Sequence, residues 1–207
     1  SLNKGSIIGV TGHSGAGKST FLDILMGLQK QSSGSIFVNE NDSKIFDNPE
    51  WFKKISYAPP STALFKTDLE MNISFNAKNS SIAEAFKVVN LDFLNFDSDL
   101  QNQFSEDDFS EGQLQRIGLA RSIAKYDSDL IILDEPTSAL DNVNKRLFID
   151  NLRKYKKDKC IVLVTHDLEL LKDVDKIAIF TEGRLEEYPD FEIAISQSEE
   201  LSRLQDG

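Results

Sequence analysis

The feature that most constrains the fold is a glycine-rich loop between a strand-like and a helix-like segment near the amino terminus. Residues 6–10 form an apolar run typical of a buried strand, and residues 20–26 have the apolar spacing of a helix. Between them lie Gly12, Gly15 and Gly17. Glycine allows a backbone to turn tightly and to approach a ligand closely. A strand, a glycine-rich turn and a helix in this order predict an α/β fold with a mainly parallel sheet.

The same loop matches the spacing G-x-x-x-x-G-K-[ST] of a phosphate loop. Lys18 offers a positive charge to the β and γ phosphates, Ser19 offers a hydroxyl to Mg²⁺, and the helix that begins there directs its positive end at the anion. The alternative, a glycine-rich turn without function, is disfavoured because a strand and a helix flank the loop correctly. The predicted nucleotide-binding residues are Gly12, His13, Ser14, Gly15, Ala16, Gly17, Lys18, Ser19 and Thr20.

Two adjacent carboxylates, Asp134 and Glu135, end the apolar run at residues 130–133. Ligands of open α/β sheets collect at the carboxyl ends of strands, so this position suits a metal and a reacting water. We predict that Asp134, with Ser19, holds Mg²⁺ and that Glu135 polarises the water that attacks the γ-phosphate. An acidic pair can also simply open a solvated loop. Together with the phosphate loop, however, the pair favours an ATPase whose cofactors are ATP and Mg²⁺.

Residues 109–116, with the sequence F-S-E-G-Q-L-Q-R, resemble the L-S-G-G-Q signature of the ATP-binding cassette (ABC) family and its Q-R continuation. Taken alone, Ser110 before Gly112 and Gln113 is typical of an ordinary helix N-cap. Its position between the other motifs favours the signature. Residues 138–141 also resemble the family's D-loop, and His166 follows a strand as the family's switch histidine does. The resemblance extends from residue 5 to about 188.

This resemblance implies an active site shared between two copies. Ser110, Gly112 and Gln113 would bind the nucleotide of the opposing copy, and Asp141 would act across the same interface. His166 would contact the γ-phosphate as a catalytic residue beside Glu135. The partners implied are therefore a second nucleotide-binding domain, identical or not, and the transmembrane domain of a transporter.

The apolar pattern divides the chain into two parts. Residues 1–59 and 126–207 are predicted to form the α/β core, with strands near 34–38, 55–58, 130–133, 161–164 and 177–180. Residues 60–125 are predicted to form an inserted helical subdomain that contains the signature, because segments such as 82–89 and 113–123 have helical spacing. The last segment, residues 191–204, is weakly amphipathic.

Two residues depart from the family pattern. Pro60 stands where the family has a glutamine, and its side chain can neither bind Mg²⁺ nor hydrogen-bond a water. Ser61 or Thr62 could take over that role. Glu111 stands where the family has glycine, which places a negative charge near the expected γ-phosphate unless the side chain points outward, where it would suit a helix N-terminus. These departures keep open the hypothesis of an impaired ATP-binding module.

Composition and one further segment narrow the choice of function. The formal net charge of −11 argues against a protein that binds nucleic acid phosphates, and hence against the rival class of soluble ABC ATPases acting on DNA or ribosomes. Residues 64–73 resemble a stretch of exporter-type ABC transporters that neighbours the membrane domain. Because the chain begins at Ser1 and reaches the phosphate loop within eleven residues, we expect a piece of a longer polypeptide with the membrane domain fused upstream, at the cytoplasmic face of the membrane. Cys160 alone forms no internal disulfide, which fits a reducing compartment.

Overall fold

The computed structural model describes residues 1–39, 41–42, 44–75 and 81–206. Its centre is a six-stranded sheet with the order β4-β5-β6-β1-β7-β8, in which all neighbours are parallel except the antiparallel pair β7–β8. A separate antiparallel pair joins two very short strands. The strands are β1 (Ser6–Thr11), β2 (Phe37–Val38), β3 (Asn41–Asp42), β4 (Ile55–Ala58), β5 (Leu130–Asp134), β6 (Cys160–Val164), β7 (Lys176–Thr181) and β8 (Arg184–Tyr188).

Helices cover both faces of this sheet, and most of them begin at a side-chain cap. Asp68, Ser110, Asp141, Asp167 and Asp190 each accept a hydrogen bond from a backbone N–H of the first turn, which satisfies groups that have no partner within the helix. The helices are α1 (Lys18–Leu25), α2 (Pro49–Lys53), α3 (Leu69–Ser74), α4 (Ile82–Val88), α5 (Glu111–Ala124), α6 (Asn142–Tyr155), α7 (Leu168–Leu171), α8 (Phe191–Gln197) and α9 (Glu199–Asp206).

The central strands are apolar along their whole length because both of their faces are covered. On β5, Ile131 and Leu133 face one core with α3, α4, α5 and α6, whereas Leu130 and Ile132 face the other core with α1. Alternate residues of a strand point to opposite faces, so uninterrupted apolar runs are what a sheet covered on both sides requires. The predicted α/β fold with a mainly parallel sheet is confirmed.

In the described part of the chain between β4 and β5 the regular elements are helices, joined by turns and irregular segments, and one isolated bridge joins Asp68 to Gln103. Within it α5 packs on α3 and α4 and also reaches β4. A Cβ at Gly118 of α5 would overlap the side chain of Thr62, so the segment after β4 lies directly on this helix. The long signature helix α5 is therefore fixed against β4. This strand lies next to β5, which leads into the two carboxylates.

One sequence-based prediction needs correction, and two features of the fold were not predicted. Residues 34–38 were expected to give a strand of the core, but only β2 forms there and it pairs with β3 outside the main sheet. The edge strand β8 was missed because its residues are mostly exposed and charged. The weakly amphipathic tail forms two helices, α8 and α9, whose apolar residues pack on β7. None of the helices in the described residues is both long and apolar enough to span a bilayer.

Candidate functional site

A cleft of about 340 Å³ opens at the carboxyl ends of β1, β5 and β6. These three strands are neighbours in the sheet, so the residues that follow each of them meet at one edge. The cleft is where the phosphate loop, the carboxylate pair and the switch histidine come together. It is lined by Ser14, Gly15, Gly17, Lys18, Ser19, Thr20, Leu22, Asp134, Glu135, Val164 and His166.

Two glycines give the phosphate loop its shape. Gly12 has a φ of 134°, and a Cβ there would overlap the carbonyl oxygen of Phe180 on β7. Gly17 has a φ of 111° and is the N-cap of α1, which begins without a side-chain cap. The first N–H groups of α1 are thus not used by a capping side chain and are available to an anion.

Lys18 lies inside this loop and contacts it through backbone carbonyls. Its Nζ donates to the carbonyl oxygen of Gly12 and, at 2.9 Å, to that of His13. Burial lowers the pKa of Lys18, while the nearby carboxylates of Glu135 and Asp134 act in the opposite direction. The ammonium group is therefore held at the cleft by contacts that a phosphate can replace.

The carboxylate of Asp134 accepts a hydrogen bond from a tyrosine on the neighbouring strand. The Tyr57 hydroxyl donates to Asp134 Oδ2 at 3.2 Å. Burial raises the pKa of Asp134, and this hydrogen bond lowers it in part. Burial and the charge of Asp134 together raise the pKa of Tyr57 to about 12, so its hydroxyl stays protonated and remains a donor.

Glu135 and His166 face each other across the cleft. His166 Nε2 lies 3.5 Å from Glu135 Oε1. Burial raises the pKa of the Glu135 carboxyl, and the neighbouring imidazole of His166 opposes that rise. A carboxylate with a raised pKa is a stronger base, which is the property that accepting a proton from water requires.

The signature residues lie outside the cleft. Ser110 and Gln113 form a reciprocal cap, in which the Gln113 N–H donates to Ser110 Oγ at 3.3 Å and the Ser110 N–H donates to Gln113 Oε1 at 2.8 Å. Glu111 is exposed in the first turn of α5, a favourable place for a negative charge. Asp141 caps α6 by accepting from the Asn144 N–H at 2.8 Å. Neither the signature nor Asp141 is among the described residues that line the cleft.

The structure also bears on the residues expected to replace the missing glutamine. Pro60 and Ser61 are exposed, and neither lines the cleft as the described residues define it. Thr62 packs against Gly118 of α5 and so faces the helical segment. Tyr57, three positions before Pro60, is the residue of this region that reaches Asp134.

Three residues that contact the site were not singled out from the sequence. They are Tyr57, Gln115 and Glu200. Gln115 belongs to the Q-R continuation of the signature, which indicates its helix but not what its side chain contacts. Glu200 of α9 accepts the His13 N–H of the phosphate loop at 2.9 Å, across 187 residues of sequence. Local pattern holds no signal for such a contact, because it depends on how the carboxyl-terminal helices pack.

Comparison with known proteins finds relatives that match most of this chain. The chain is 32% identical over 195 residues to ABC transporter B family member 28 of Arabidopsis thaliana, covering 89% of this chain and 27% of that protein. It is 33% identical over 192 residues to an ABC transporter ATP-binding/permease protein of Haemophilus influenzae, covering 89% of this chain and 35% of that protein. The chain spans between 14% and 35% of the length of such curated relatives.

A bacterial Atm1-family ABC exporter solved with ATP bound has the same fold, with a TM-score of 0.85 and 23% identity over 99% of this chain and 37% of that one. The family described as ABC transporter matches residues 1–138. Since that match covers most of the 207 residues and includes the phosphate loop, the signature and both carboxylates, the chain belongs to the ABC transporter family.

Proposed function

We propose that this chain is the ATP-binding and ATP-hydrolysing domain of an exporter-type ABC transporter. Membership of the family implies ATPase activity. The observation that carries the proposal is the single cleft in which Lys18, Ser19, Asp134, Glu135 and His166 come together. A phosphate-binding loop, a metal-binding carboxylate and a base at one edge of a sheet are the parts that phosphoryl transfer to water needs.

The phosphate loop would bind the β and γ phosphates of ATP. Free N–H groups at the start of α1 and the ammonium of Lys18 supply positive charge, and the loop glycines let the backbone approach the phosphate oxygens. On binding, Lys18 would exchange its contacts with the carbonyl oxygens of Gly12 and His13 for contacts with phosphate oxygens. Thr20, which lines the same cleft in the first turn of α1, would also contact the bound nucleotide.

The residues of the cleft fit Mg²⁺. Hydroxyl and carboxylate oxygens are the ligands it prefers, and it needs only one or two protein ligands because phosphates and waters complete its shell. Ser19 and Asp134 line the same cleft, and burial raises the pKa of Asp134, so a cation there would offset an unfavourable negative charge. When bound, Mg²⁺ would neutralise charge on the phosphates. Tyr57 would hold Asp134 in place.

Glu135 would act as the general base. Its carboxylate lies in the cleft beside Lys18, and burial favours its protonated form, as expected for a group that takes a proton from the attacking water. His166, 3.5 Å from the same carboxylate, would hold the γ-phosphate and the water in line with it. The roles of Glu135 and His166 are therefore complementary.

The position of the signature supports a shared active site. Ser110, Gly112, Gln113 and Asp141 lie away from the chain's own cleft, which fits residues that bind the nucleotide of a second copy. We propose that two such domains, identical or not, enclose two ATP molecules between their phosphate loops and signatures. Closure on ATP would then be the event that drives transport.

A groove of about 400 Å³ beside β4 is the proposed contact for the transmembrane domain. Phe65 and Phe75 line it and are largely exposed, and the Arg121 guanidinium lies 5.0 Å from the Phe65 ring centroid. Phe65 belongs to the segment of residues 64–73 that resembles exporters. In this proposal the domain lies at the cytoplasmic face of the membrane and has no nucleic-acid partner, consistent with the net charge of −11.

Glu135→Gln tests the assigned chemistry. The expected result is a loss of ATP turnover of at least about a hundredfold, because the base is removed, with retained binding of MgATP. The control is Glu169→Gln, which neutralises an exposed carboxylate on α7 that pairs with Lys172. Equal turnover in Glu135→Gln and in an unmodified chain that hydrolyses ATP measurably would refute the assigned role.

The same variant tests the shared site. Because hydrolysis is blocked, Glu135→Gln should form an ATP-dependent dimer that multi-angle light scattering detects, and Ser110→Arg should abolish this dimer.

A second candidate function, an ATP-binding module without catalysis, is favoured by Pro60. Turnover of the unmodified chain at the level of Glu135→Gln, restored by Pro60→Gln, would support that candidate.

A further inference from the structure

Gln115 connects the signature helix to the catalytic strand. It lies in the second turn of α5, which begins at the signature, and its side chain is only 5% exposed. Its Nε2 donates to the backbone carbonyl of Glu135 at 2.9 Å and to Ser138 Oγ at 2.8 Å. Its Oε1 accepts the Ala139 N–H at 3.1 Å. A single side chain thus contacts three residues of the segment that follows β5.

The orientation of this amide follows from its partners. The Glu135 carbonyl can only accept and the Ala139 N–H can only donate, so the NH₂ and oxygen of Gln115 cannot be exchanged. Both N–H donors and the oxygen of the carboxamide are used. In a buried position, loss of any of these bonds would leave a polar group without a partner, so the arrangement resists displacement.

The backbone that Gln115 holds has an unusual conformation. Glu135 has a φ of 49°, in the left-handed region that residues other than glycine rarely adopt. Its N–H donates to the Val164 carbonyl on β6 at 2.9 Å, and its carbonyl accepts from Gln115. Hydrogen bonds on both sides of the residue thus fix this conformation. In it, the Glu135 carboxylate faces His166.

The signature touches the same segment at a second point. A Cβ at Gly112 would lie 2.5 Å from the Ala139 carbonyl oxygen, so α5 and this segment are in direct contact there. The two contacts, one turn apart on α5, leave little room for the helix to move without moving residues 135–139.

We propose that Gln115 is a positioning residue, which sets the backbone of Glu135 and couples the direction of its carboxylate to the placement of the signature helix. The proposal rests on the role of Glu135 as general base. Gln115 touches neither nucleotide nor water in this scheme, and acts through Glu135. The consequence is that engagement of the signature by a second copy changes how the base is aligned in the first.

The test uses Gln115→Met, which keeps the length of the side chain and removes its hydrogen bonds. We expect kcat to fall about tenfold to a hundredfold, as for a misplaced catalytic group, while KM for ATP changes less than about twofold. The control is Asn151→Leu, which also removes a side-chain amide that hydrogen-bonds two elements together. Asn151 donates to the Lys87 carbonyl at 2.9 Å, joins α6 to α4 and is not among the residues that line the cleft, so its loss should lower the melting temperature but not kcat.

The decisive measurement is the same substitution in the Glu135→Gln background. If Gln115 acts through Glu135, Gln115→Met should change the residual rate there by less than about twofold, because the two effects are not additive. Two results would overturn the proposal: an unchanged kcat in Gln115→Met, or an equal loss in both backgrounds. An unchanged rate in Glu135→Gln alone would instead refute the proposed base.

Gln115→Glu is the second variant, for use if Gln115→Met does not fold. In its ionised form, which a measurement at about pH 8 favours, it retains an acceptor for the Ala139 N–H and has no donor for the Glu135 carbonyl. That carbonyl is then released while the segment stays in contact with α5. The expected loss in kcat is again about tenfold or more. Normal turnover in a folded Gln115→Glu protein would contradict the proposal.

Discussion

At the scale of single residues, the site places charge where the fold disfavours it. Asp134 and Glu135 are adjacent, half-buried and both have raised pKa values because burial penalises the ionised form. Lys18 has a lowered pKa for the same reason. Burial of these charged groups reduces the stability of the empty domain, and the attraction between Lys18 and the carboxylates offsets only part of that cost.

Glu135→Gln should therefore stabilise the domain at neutral and higher pH. The folded pKa of Glu135 lies above its unfolded value, so the ionised carboxylate destabilises the fold at any pH above the folded pKa. The variant's gain in free energy of unfolding should disappear as the pH falls below the unfolded pKa, where both states carry a protonated carboxyl. Urea unfolding at about pH 8 and about pH 4 measures this.

The control for this prediction is Glu169→Gln, because Glu169 is exposed and paired with Lys172. Its effect on unfolding should be small and should not follow the same trend. A Glu135→Gln protein less stable than the unmodified chain at the higher pH would show that burial of the carboxylate is not the dominant effect.

At the scale of secondary-structure elements, the carboxyl-terminal helix α9 contacts the phosphate loop. Phe191 and Ala194 of α8 and Leu201 of α9 pack with Ile177 and Ile179 of β7. This packing brings Glu200 to the His13 N–H. A carboxylate so placed would repel the anionic phosphates that the loop is proposed to bind.

Glu200→Gln should bind ATP more tightly. Removing one negative charge beside the loop should lower the dissociation constant about two- to fivefold, the size expected of a partly exposed charge. Titration with a fluorescent ATP analogue measures this, and the gain should shrink at high salt because screening weakens the repulsion. Glu192→Gln on α8 makes the same change in net charge on an exposed residue outside the cleft. An affinity that is unchanged or weaker in Glu200→Gln would contradict this account.

At the scale of the whole molecule, the parallel sheet is what brings distant segments together. Strand β6 lies between β5 and β1, and all three strands are buried. Their order places residues 12–19, 134–135 and 166 at one edge although they are far apart in sequence. The stability of this sheet is therefore a condition for the site.

Ile161→Ala tests that dependence. Ile161 lies on β6, an interior strand of the sheet, and is fully buried, so its truncation should lower the free energy of unfolding by about 2–5 kcal/mol through lost burial and a cavity. The comparison is Leu185→Ala on the edge strand β8, where the side chain is 41% exposed and the cost should stay within about 1 kcal/mol. Denaturant unfolding measures the loss in free energy of unfolding for each variant. Similar losses in the two variants would contradict the dependence of stability on the interior strands of the sheet.

The sequence alone predicted the parallel fold, and it also pointed to the glycine-rich loop and the carboxylate pair as the proposed nucleotide site. Each depends on short-range patterns: a loop with fixed glycine spacing, an apolar run that ends in two acids, and strands covered on both faces. Only the tertiary structure decided which other side chains hydrogen-bond the carboxylate pair and the glycine-rich loop. Tyr57, Gln115 and Glu200 reach Asp134, Glu135 and the phosphate loop from elsewhere in the chain. The physical reason is that a hydrogen bond depends on distance in space, and only packing of the helices on the sheet brings these residues within that distance.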